Sequence, residues 1–411
     1  MSASAAMRSD PAQLPGLLLS CTALLIAMSD AAAQKRYDPG ATDTEITIGQ
    51  TMPYSGPASS FGTVGRAEAA YFAKINAEGG IRGRKIKLIS LDDAYNPAKT
   101  VEQVRRLVER DGVLLIFNPQ GTPTNTAIQK YLNQRKIPQL FVGAGDAKFG
   151  DPKRYPWTMG FHQTNHTEGK LYAAYILRHF PRARIGVLYL NDDFGKELLK
   201  GLRDGLGGRA TAMVVGAESY ELQDPTVDSQ IVSLRGAGAD TFLNFALPKA
   251  AAQAIRKTYD IGWRPRQFLN YVSGSISEVL QPAGLEKSIG IISIDNQKDP
   301  TDEQWKDDAA LKEWLAWMHQ YYPDGNTEDN SNVYAYTLAQ LLVHVLRQCG
   351  DDLTRENIMR QAANLRDVEL PMLLPGIKIN TSPTDYYPIE QVRLLRFNGR
   401  RWEMFGDVIG R

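Results

Sequence analysis

The stretch GVLLIFNPQGTPTNTAIQK, residues 112–130, carries the pattern that decides the fold. Its first part is an uninterrupted apolar run, which is typical of a parallel strand covered on both faces. A loop of Pro, Gly, Thr and Asn follows, and the segment after the loop has the spacing of a helix. The loop contains no acid, base or strong metal ligand. Only hydroxyls, amides and backbone N–H groups are available there, which indicates binding rather than catalysis.

The same alternation of strand and helix extends in both directions along the chain. Strands are predicted at EITIGQTMP, KIKLISLDD and IPQLFV, and helices at GRAEAAYFAKINAEGG and NPAKTVEQVRRLVER. A second series of helices and strands covers residues 168–270. Three helical stretches within residues 303–364 and a hairpin turning at Asn398–Gly399 complete the chain. The pattern predicts an α/β protein with two doubly wound parallel sheets.

Length and composition limit the classes of function. The 411 residues are enough for two domains, each with its own core. With 47 basic and 46 acidic residues, the formal net charge of +1 gives no electrostatic footprint for nucleic acid. The two cysteines form neither a disulfide framework nor a zinc spacing. Cys349, at the end of an apolar helical stretch, is interpreted as a buried structural thiol.

The first 33 residues predict a cleavable signal peptide. Leu17–Met28 is an apolar run too short to span a bilayer, and Ala31–Ala33 supplies the small residues of a cleavage site. Lipid attachment at Cys21 is disfavoured because the apolar run continues past it. Translation could start at Met1 or at Met7. We expect a periplasmic protein without a lipid anchor.

The loops that follow the predicted strands contain no recognisable catalytic chemistry. Ligands of open parallel sheets bind beyond the carboxyl ends of the strands, so these loops are where such chemistry belongs. They lack a P-loop lysine, a dinucleotide fingerprint, a G-x-S-x-G elbow and an H-E-x-x-H pair. His162 and His166 straddle a loop without a third metal ligand. We therefore predict that the protein is not an enzyme, with no catalytic residue, metal or cofactor.

The same loops do offer a site for an anion. The hydroxyls of Thr122 and Thr124, with the free N–H groups of the following helix, can hold a carboxylate. The alternative is that Thr122 merely caps its own helix. Aromatic residues beside the loops could line an apolar pocket: Tyr54, Phe61, Phe149, Phe194 and Tyr271.

Four ordered motifs resemble one family. IGQTMPYSGPASSFG, INAEGGIRGRKIKL, LDDAYNPAKTVEQVRRLV and NDDFGKELLKGLRDGL resemble the extracytoplasmic solute-binding proteins of ABC transporters, most closely the branched-chain amino acid (leucine/isoleucine/valine) type. The resemblance implies a type I periplasmic binding protein fold, in which three crossovers join two lobes around a ligand cleft. It also implies a monomer that closes on its ligand and presents the closed form to permease subunits in the membrane.

The resemblance also places the lobe boundaries. The crossovers are expected near residues 159–164, 294–300 and 375–383. The N-terminal lobe is then expected to comprise residues 44–162 and 297–377, and the C-terminal lobe residues 163–296 and 378–411.

Ligand contacts can be carried over position by position. Thr122 falls where the family places a hydroxyl on the ligand carboxylate, and Ala144 and Asp146 fall on the loop that holds the ligand's charged end. Phe194 and Leu247 fall where leucine binders have tyrosines. The full predicted set is Tyr54, Phe61, Gln120, Gly121, Thr122, Ala144, Asp146, Phe194, Leu247 and Tyr271.

One departure from the family changes the expected ligand. Amino-acid binders carry a Glu for the ligand's ammonium where this sequence has Val272, and an unpaired buried cation is costly. Asp146 is the candidate substitute, either for the ammonium or for a hydroxyl. The leading hypothesis is a receptor for a small carboxylate, with an aromatic acid first. A branched-chain or other amino acid is the alternative ligand, and a ligand-sensing module for a membrane sensor is the alternative function.

Overall fold

The structure is a computed structural model, and it describes residues 35–410. The predicted signal peptide, including Cys21, lies outside the described residues. Within residues 35–410, no helix is long and apolar enough to cross a membrane. Cys349 is buried at the end of a long helix and has no disulfide partner among the described residues, which agrees with its interpretation as a structural thiol.

The strands are short and follow one another at intervals typical of an α/β fold. They are β1 (Arg36–Tyr37), β2 (Glu45–Met52), β3 (Lys85–Asp92), β4 (Leu115–Phe117), β5 (Gln139–Val142), β6 (Thr158–Gly160), β7 (Ile185–Leu190), β8 (Val214–Tyr220), β9 (Thr241–Phe245), β10 (Arg266–Leu269), β11 (Ile292–Asp295), β12 (Asp352–Leu353), β13 (Val392–Phe397) and β14 (Trp402–Ile409).

The helices lie between these strands, and short 3₁₀ and π turns extend several of them. They are α1 (Gly62–Ala77), α2 (Pro97–Arg105), α3 (Thr122–Arg135), α4 (Asn165–His179), α5 (Asp193–Leu206), α6 (Ala210–Met213), α7 (Asp228–Gly236), α8 (Pro248–Asp260), α9 (Gln281–Ala283), α10 (Ala309–Tyr321), α11 (Asn330–Cys349) and α12 (Arg355–Ala362).

The first sheet has the strand order β3-β2-β4-β5-β6, and its strands are parallel. Residues 113–117, which include β4, are fully buried. The uninterrupted apolar run is therefore a central strand covered on both faces, as predicted. Because the chain places β3 on one side of β2 and β4 on the other, the switch point lies between β2 and β4. Loops at their carboxyl ends border the crevice where ligands bind in such folds.

The second sheet has the order β14-β13-β11-β10-β9-β7-β8. Strands β7 to β11 pair in parallel, whereas β13 and β14 form an antiparallel hairpin on the β11 edge. The hairpin turns where Asn398 donates its backbone N–H to the Arg401 carbonyl. The predicted terminal hairpin is confirmed, and it extends the second sheet.

Helices α10, α11 and α12 return to the first sheet. Trp314 of α10, Leu342 of α11 and Ile358 of α12 belong to one buried apolar cluster with Ile46 and Phe117 of the first sheet. We call this assembly of the first sheet, helices α1 to α3 and helices α10 to α12 the first lobe. The second sheet with helices α4 to α9 is the second lobe, and it has its own apolar cluster.

Three segments connect the two lobes. They are residues 161–164 between β6 and α4, residues 296–308 between β11 and α10, and residues 363–391 between α12 and β13. The last segment contributes Ile379, Tyr386 and Ile389 to the apolar cluster of the first lobe, although the predicted boundary assigns these residues to the C-terminal lobe.

Candidate ligand-binding site

Two adjoining cavities lie between the lobes, and both have Phe61, Gln120 and Val272 in their walls. With the open solvent at its mouth included, the narrow cavity has about 280 Å³ of space free of protein atoms. The wide cavity has about 480 Å³ on the same basis. Residues from both lobes line each cavity, so a ligand in either one would contact both lobes.

The narrow cavity lies at the N-terminus of α3, beyond the carboxyl end of β4. Gly121 precedes the helix with φ 99° and ψ 146°, a conformation that favours glycine. No side chain caps this helix end. The Thr122 hydroxyl has no hydrogen-bond partner among the described residues, so it does not act as a helix cap. It remains free to donate to a ligand carboxylate, which is a common partner of a helix N-terminus.

The other donors at this helix end are partly engaged. The Thr124 hydroxyl donates to the Gly121 carbonyl at 2.8 Å. The Tyr95 hydroxyl lies beside the backbone N–H of Thr122, and Pro123 has no N–H. Of the two threonine hydroxyls that the sequence proposes for an anion, only that of Thr122 is therefore available.

Asn165 adds a donor from the second lobe. It is the first residue of α4 and lines the narrow cavity, where its Nδ2 atom is buried without a partner in the described part of the chain. The Thr164 side chain accepts the backbone N–H of Thr167, which fixes where α4 begins. Thr122 and Asn165 therefore approach the narrow cavity from opposite lobes.

Apolar side chains complete the narrow cavity. Ala144, Phe194, Leu247 and Val272 lie in its wall. Phe194 is placed by α5, which begins where the Asp192 side chain accepts the N–H of Gly195 at 3.1 Å. Such walls suit an aliphatic or aromatic side chain, with polar contacts confined to the helix end.

The wide cavity is lined mainly by rings. His162 of the first crossover lies between Tyr271 and Tyr334, with ring centroids 5.4 Å and 6.4 Å away. Burial lowers the pKa of His162, so its imidazole is neutral near pH 7. The remaining wall residues are Phe61, Val64, Gln120, Val272, Gln297, Asn330 and Ser331.

Among residues 35–410, no charged side chain lines either cavity. Two buried amide atoms without a partner, Gln120 Oε1 and Gln297 Nε2, belong to residues that line the wide cavity. Because buried polar atoms are normally hydrogen-bonded, ligand groups are the natural partners for them. The site can bind and orient a small polar molecule, and no nucleophile–base pair lines it.

Three buried carboxyl groups lie behind the lining residues. Glu68 accepts a hydrogen bond from Asn118, Glu168 accepts one from the backbone of Tyr271, and Asp295 accepts one from the backbone of Gln297. Desolvation raises the pKa of Glu68 to about 8 and those of Glu168 and Asp295 to about 7.

The structure brings most of the predicted site residues to these walls. Phe61, Gln120, Gly121, Thr122, Ala144, Phe194 and Leu247 line the narrow cavity, and Tyr271 lines the wide one. Tyr54 lies outside both walls, with its hydroxyl 2.6 Å from Ser90 Oγ. Asp146 also lies outside them, where it pairs with Lys148 Nζ at 2.9 Å.

Sequence reasoning did not find the wall residues of the crossovers and of α11. These are His162, Gln297, Asn330, Ser331 and Tyr334. From the sequence, His162 is a surface or crossover histidine without a third metal ligand, and the other four lie far from the motifs that predict the site. One signal was available: Asp329 caps α11 by accepting from the N–H of Ser331, so the helix start could have been placed there.

The lobes are in contact around the cavities. Phe61 and Tyr95 of the first lobe belong to the apolar cluster of the second lobe. Lys148 Nζ, paired with Asp146 of its own lobe, also contacts Asp193 of the second lobe at 2.9 Å. The described arrangement is therefore a closed one.

Two α/β lobes with parallel sheets, linked by three segments and closed over a cleft, define the class of two-lobed ligand-binding proteins. The chain belongs to the periplasmic binding protein family, whose model matches residues 45–401. The family match and the topology confirm the predicted type I periplasmic binding protein fold.

The individual relatives share little sequence identity with this chain. A Leu/Ile/Val-binding protein homolog of Brucella abortus is 26% identical over 250 residues, which cover 59% of this chain and 61% of that relative. A branched-chain amino acid ABC transporter protein of Thermus thermophilus with bound valine superposes with a TM-score of 0.80, at 15% identity over 90% of this chain and 98% of that one. A fatty acid ABC transporter substrate-binding protein of Thermomonospora curvata superposes with a TM-score of 0.73. The match has 19% sequence identity and covers 92% of this chain and 95% of that one.

Proposed function

We propose that the protein is an extracytoplasmic solute-binding receptor, which closes on a small carboxylate and delivers it to an ABC-type permease. The observation that carries this proposal is the free Thr122 hydroxyl at the uncapped N-terminus of α3, inside a cavity walled by both lobes. A ligand held there contacts both lobes and thereby stabilises their closed arrangement. The receptor works as a monomer without metal or cofactor.

A branched-chain amino acid is the first ligand class. Leucine, isoleucine and valine are named for the Brucella relative, and valine is bound in the Thermus neighbour. The apolar walls formed by Phe194, Leu247 and Val272 suit an aliphatic side chain, while Thr122 and Asn165 suit a carboxylate. This choice reverses the order favoured by the sequence alone, which placed an aromatic acid first.

An aromatic acid is the second ligand class, and one observation favours it. In the described part of the chain, no Asp or Glu lines either cavity, so no carboxylate there meets an ammonium directly. A small aromatic acid needs no such partner. Its ring could pack among the rings of Phe61, Tyr271 and Tyr334, which line the wide cavity.

A thermal-shift screen of the purified protein separates the two classes. The panel holds leucine, isoleucine, valine, benzoate, cinnamate and isocaproate, with leucinamide as a control that lacks the carboxylate. A ligand that binds only the folded protein raises its unfolding midpoint by mass action. Stabilisation by the branched-chain amino acids but not by leucinamide is expected. Stabilisation by benzoate or cinnamate alone would select the second class, and no shift with any carboxylate would contradict the receptor proposal.

A further inference from the structure

The two cavities differ in their electrostatic surroundings. The narrow cavity faces the N-terminus of α3, the positive end of the helix dipole. The wide cavity has three carboxyl groups behind its wall, Glu68 in the first lobe and Glu168 and Asp295 in the second lobe. No salt bridge joins any of these three to a cation in residues 35–410. The cleft therefore has an anion-binding end and an end that is electronegative when these groups are ionised.

A hydrogen-bonded chain connects the wide cavity with Glu68. The Tyr334 hydroxyl donates to Asn118 Oδ1 at 3.0 Å, and Asn118 Nδ2 donates to Glu68 Oε1 at 2.6 Å. Gln50 donates to the other oxygen of Glu68 and to the Phe117 carbonyl, which orients the Gln50 amide. Because Asn118 Nδ2 donates to Glu68, the Asn118 amide presents its oxygen to Tyr334.

These hydrogen bonds determine whether the Tyr334 hydroxyl can donate a hydrogen bond to a ligand or only accept one. Its one hydroxyl proton is committed to Asn118, so the oxygen can act only as an acceptor elsewhere. Tyr334 is part of the wide cavity wall, together with Gln120, whose Oε1 atom has no partner in the described chain. The wall therefore contains two side chains, Tyr334 and Gln120, that carry an acceptor oxygen.

Residues of the second lobe also favour a positively charged group in the wide cavity. The backbone N–H of Tyr271 donates to Glu168 at 2.7 Å. Burial raises the pKa of the Tyr271 phenol, and the nearby Asp295 carboxyl raises it further. The faces of the Tyr271 and Tyr334 rings carry the negative part of the aromatic quadrupole, which attracts cations. With no Lys or Arg in the wall, a positive group meets no like charge there.

We propose that the wide cavity receives the ammonium group of the ligand, and that Tyr334 is a specificity-determining residue that accepts a hydrogen bond from it. Asn118 and Glu68 are positioning residues that hold the Tyr334 proton away from the cavity. The inference rests on the proposed function, because it assumes that the ligand carboxylate lies at Thr122. It supplies a partner for the ammonium although Val272 occupies the position where amino-acid binders have an acid.

The test is the Tyr334→Phe variant, titrated calorimetrically with leucine and with isocaproate, which is leucine without its ammonium group. The variant keeps the ring and loses only the hydroxyl. Losing a hydrogen bond to a charged group should weaken leucine binding by about 10-fold or more. Isocaproate binding should change by less than about 2-fold, because it has no donor for Tyr334.

Two further variants complete the experiment. Tyr336→Phe is the matched control, since Tyr336 lies on the same helix outside both cavity walls, and it should leave both affinities unchanged. Glu68→Gln should reduce leucine affinity and spare isocaproate, because it disturbs the orientation of Asn118 without touching the cavity. A purely structural role of Glu68 would weaken both ligands alike.

The remaining outcomes distinguish a failure of the Tyr334 inference from a failure of the proposed receptor function. Equal losses for leucine and isocaproate in Tyr334→Phe, or no loss for leucine, would overturn the inference. Wild-type protein that binds isocaproate as tightly as leucine would overturn it too, while the receptor function would stand. Wild-type protein that binds no small carboxylate at all would contradict the proposed function itself.

Discussion

Thr122 is the residue on which carboxylate binding depends most. Its hydroxyl is free, it lines the narrow cavity and it opens a helix without a side-chain cap. Thr122→Ala should weaken carboxylate binding by about 1–3 kcal/mol, the usual cost of losing a hydrogen bond to a charged group. Calorimetric titration measures this loss. Thr122→Ser keeps the hydroxyl and should bind nearly as the wild type does; an alanine variant with unchanged affinity would exclude the hydroxyl from the site.

Glu68 should make stability depend on pH. Its folded-state pKa of about 8 lies above the usual value near 4.5, since the group is desolvated. The folded state thus holds a proton that the unfolded chain releases between these values. The contribution of Glu68 to stability is fully present below about pH 4.5 and is lost as pH rises through about 8.

Glu68→Gln removes this proton linkage. Urea unfolding at a series of pH values should show a smaller fall in unfolding free energy from pH 5 to pH 8 in the variant than in the wild type. Glu313→Gln is a control, because Glu313 is an exposed residue. Parallel pH profiles for wild type and Glu68→Gln would show that Glu68 is ionised in the folded protein.

Site residues in loops next to predicted strands were predictable from the sequence. Site residues that the fold brings in from distant parts of the chain were not. Thr122 and Phe61 stand in motifs next to predicted strand ends. Tyr334 reaches the cleft only because α11 returns to the first lobe from more than 200 positions beyond Asn118, its partner. Asp146 looked like a ligand partner, yet Lys148, two residues further on, pairs with it locally.

At the element scale, the junction between β4 and α3 should be intolerant of larger side chains. A Cβ atom at Gly121 would lie 2.4 Å from the Tyr95 ring, and the backbone there has φ 99°. Gly121→Ala should therefore cost about 1–3 kcal/mol of backbone strain, with about 1–3 kcal/mol more for overpacking. Denaturant unfolding gives the loss, and ligand titration gives the accompanying loss of affinity.

Gly79→Ala provides the matched control. Gly79 has φ 102°, and no atom lies within 4 Å of the position of an added Cβ. Its alanine variant should show only the backbone cost of about 1–3 kcal/mol and no change in ligand affinity. Equal destabilisation of the two variants would mean that the contact with Tyr95 does not constrain the junction.

Element types were predictable where periodicity and caps agree. Asn96 caps α2 with Pro97 behind it, as the sequence indicates. The helix predicted from Glu303 begins instead at Ala309, because Asp302 and Asp308 each accept backbone N–H groups and divide the stretch into a 3₁₀ turn and α10. Periodicity alone does not show which of two capping residues in one polar segment begins the α-helix.

At the scale of the whole molecule, the order of strands and helices predicted two lobes, whereas their closure depends on contacts that the pattern does not encode. Lys148 and Asp193 meet across the cleft at 2.9 Å. Lys148→Met removes this pair together with the Lys148–Asp146 pair inside the first lobe. A partly exposed ion pair such as the one across the cleft contributes up to about 1 kcal/mol. Ligand affinity should fall by about 2- to 5-fold as closure becomes less favourable.

Lys200→Met is the control for this prediction. Lys200 pairs with Asp204 within α5, so the variant loses an exposed ion pair that does not cross the cleft. Calorimetric titration should give wild-type affinity for it. A Lys148→Met variant that binds as tightly as Lys200→Met would show that the pair between the lobes does not favour closure.

Closure of the two lobes on a small carboxylate is measured by small-angle X-ray scattering with and without saturating leucine. The radius of gyration should be larger without ligand and should fall on addition of leucine to the value calculated from the closed coordinates, because the ligand contacts both lobes. Leucinamide should leave it unchanged. An identical scattering curve with and without leucine, and with every other carboxylate of the panel, would contradict the account.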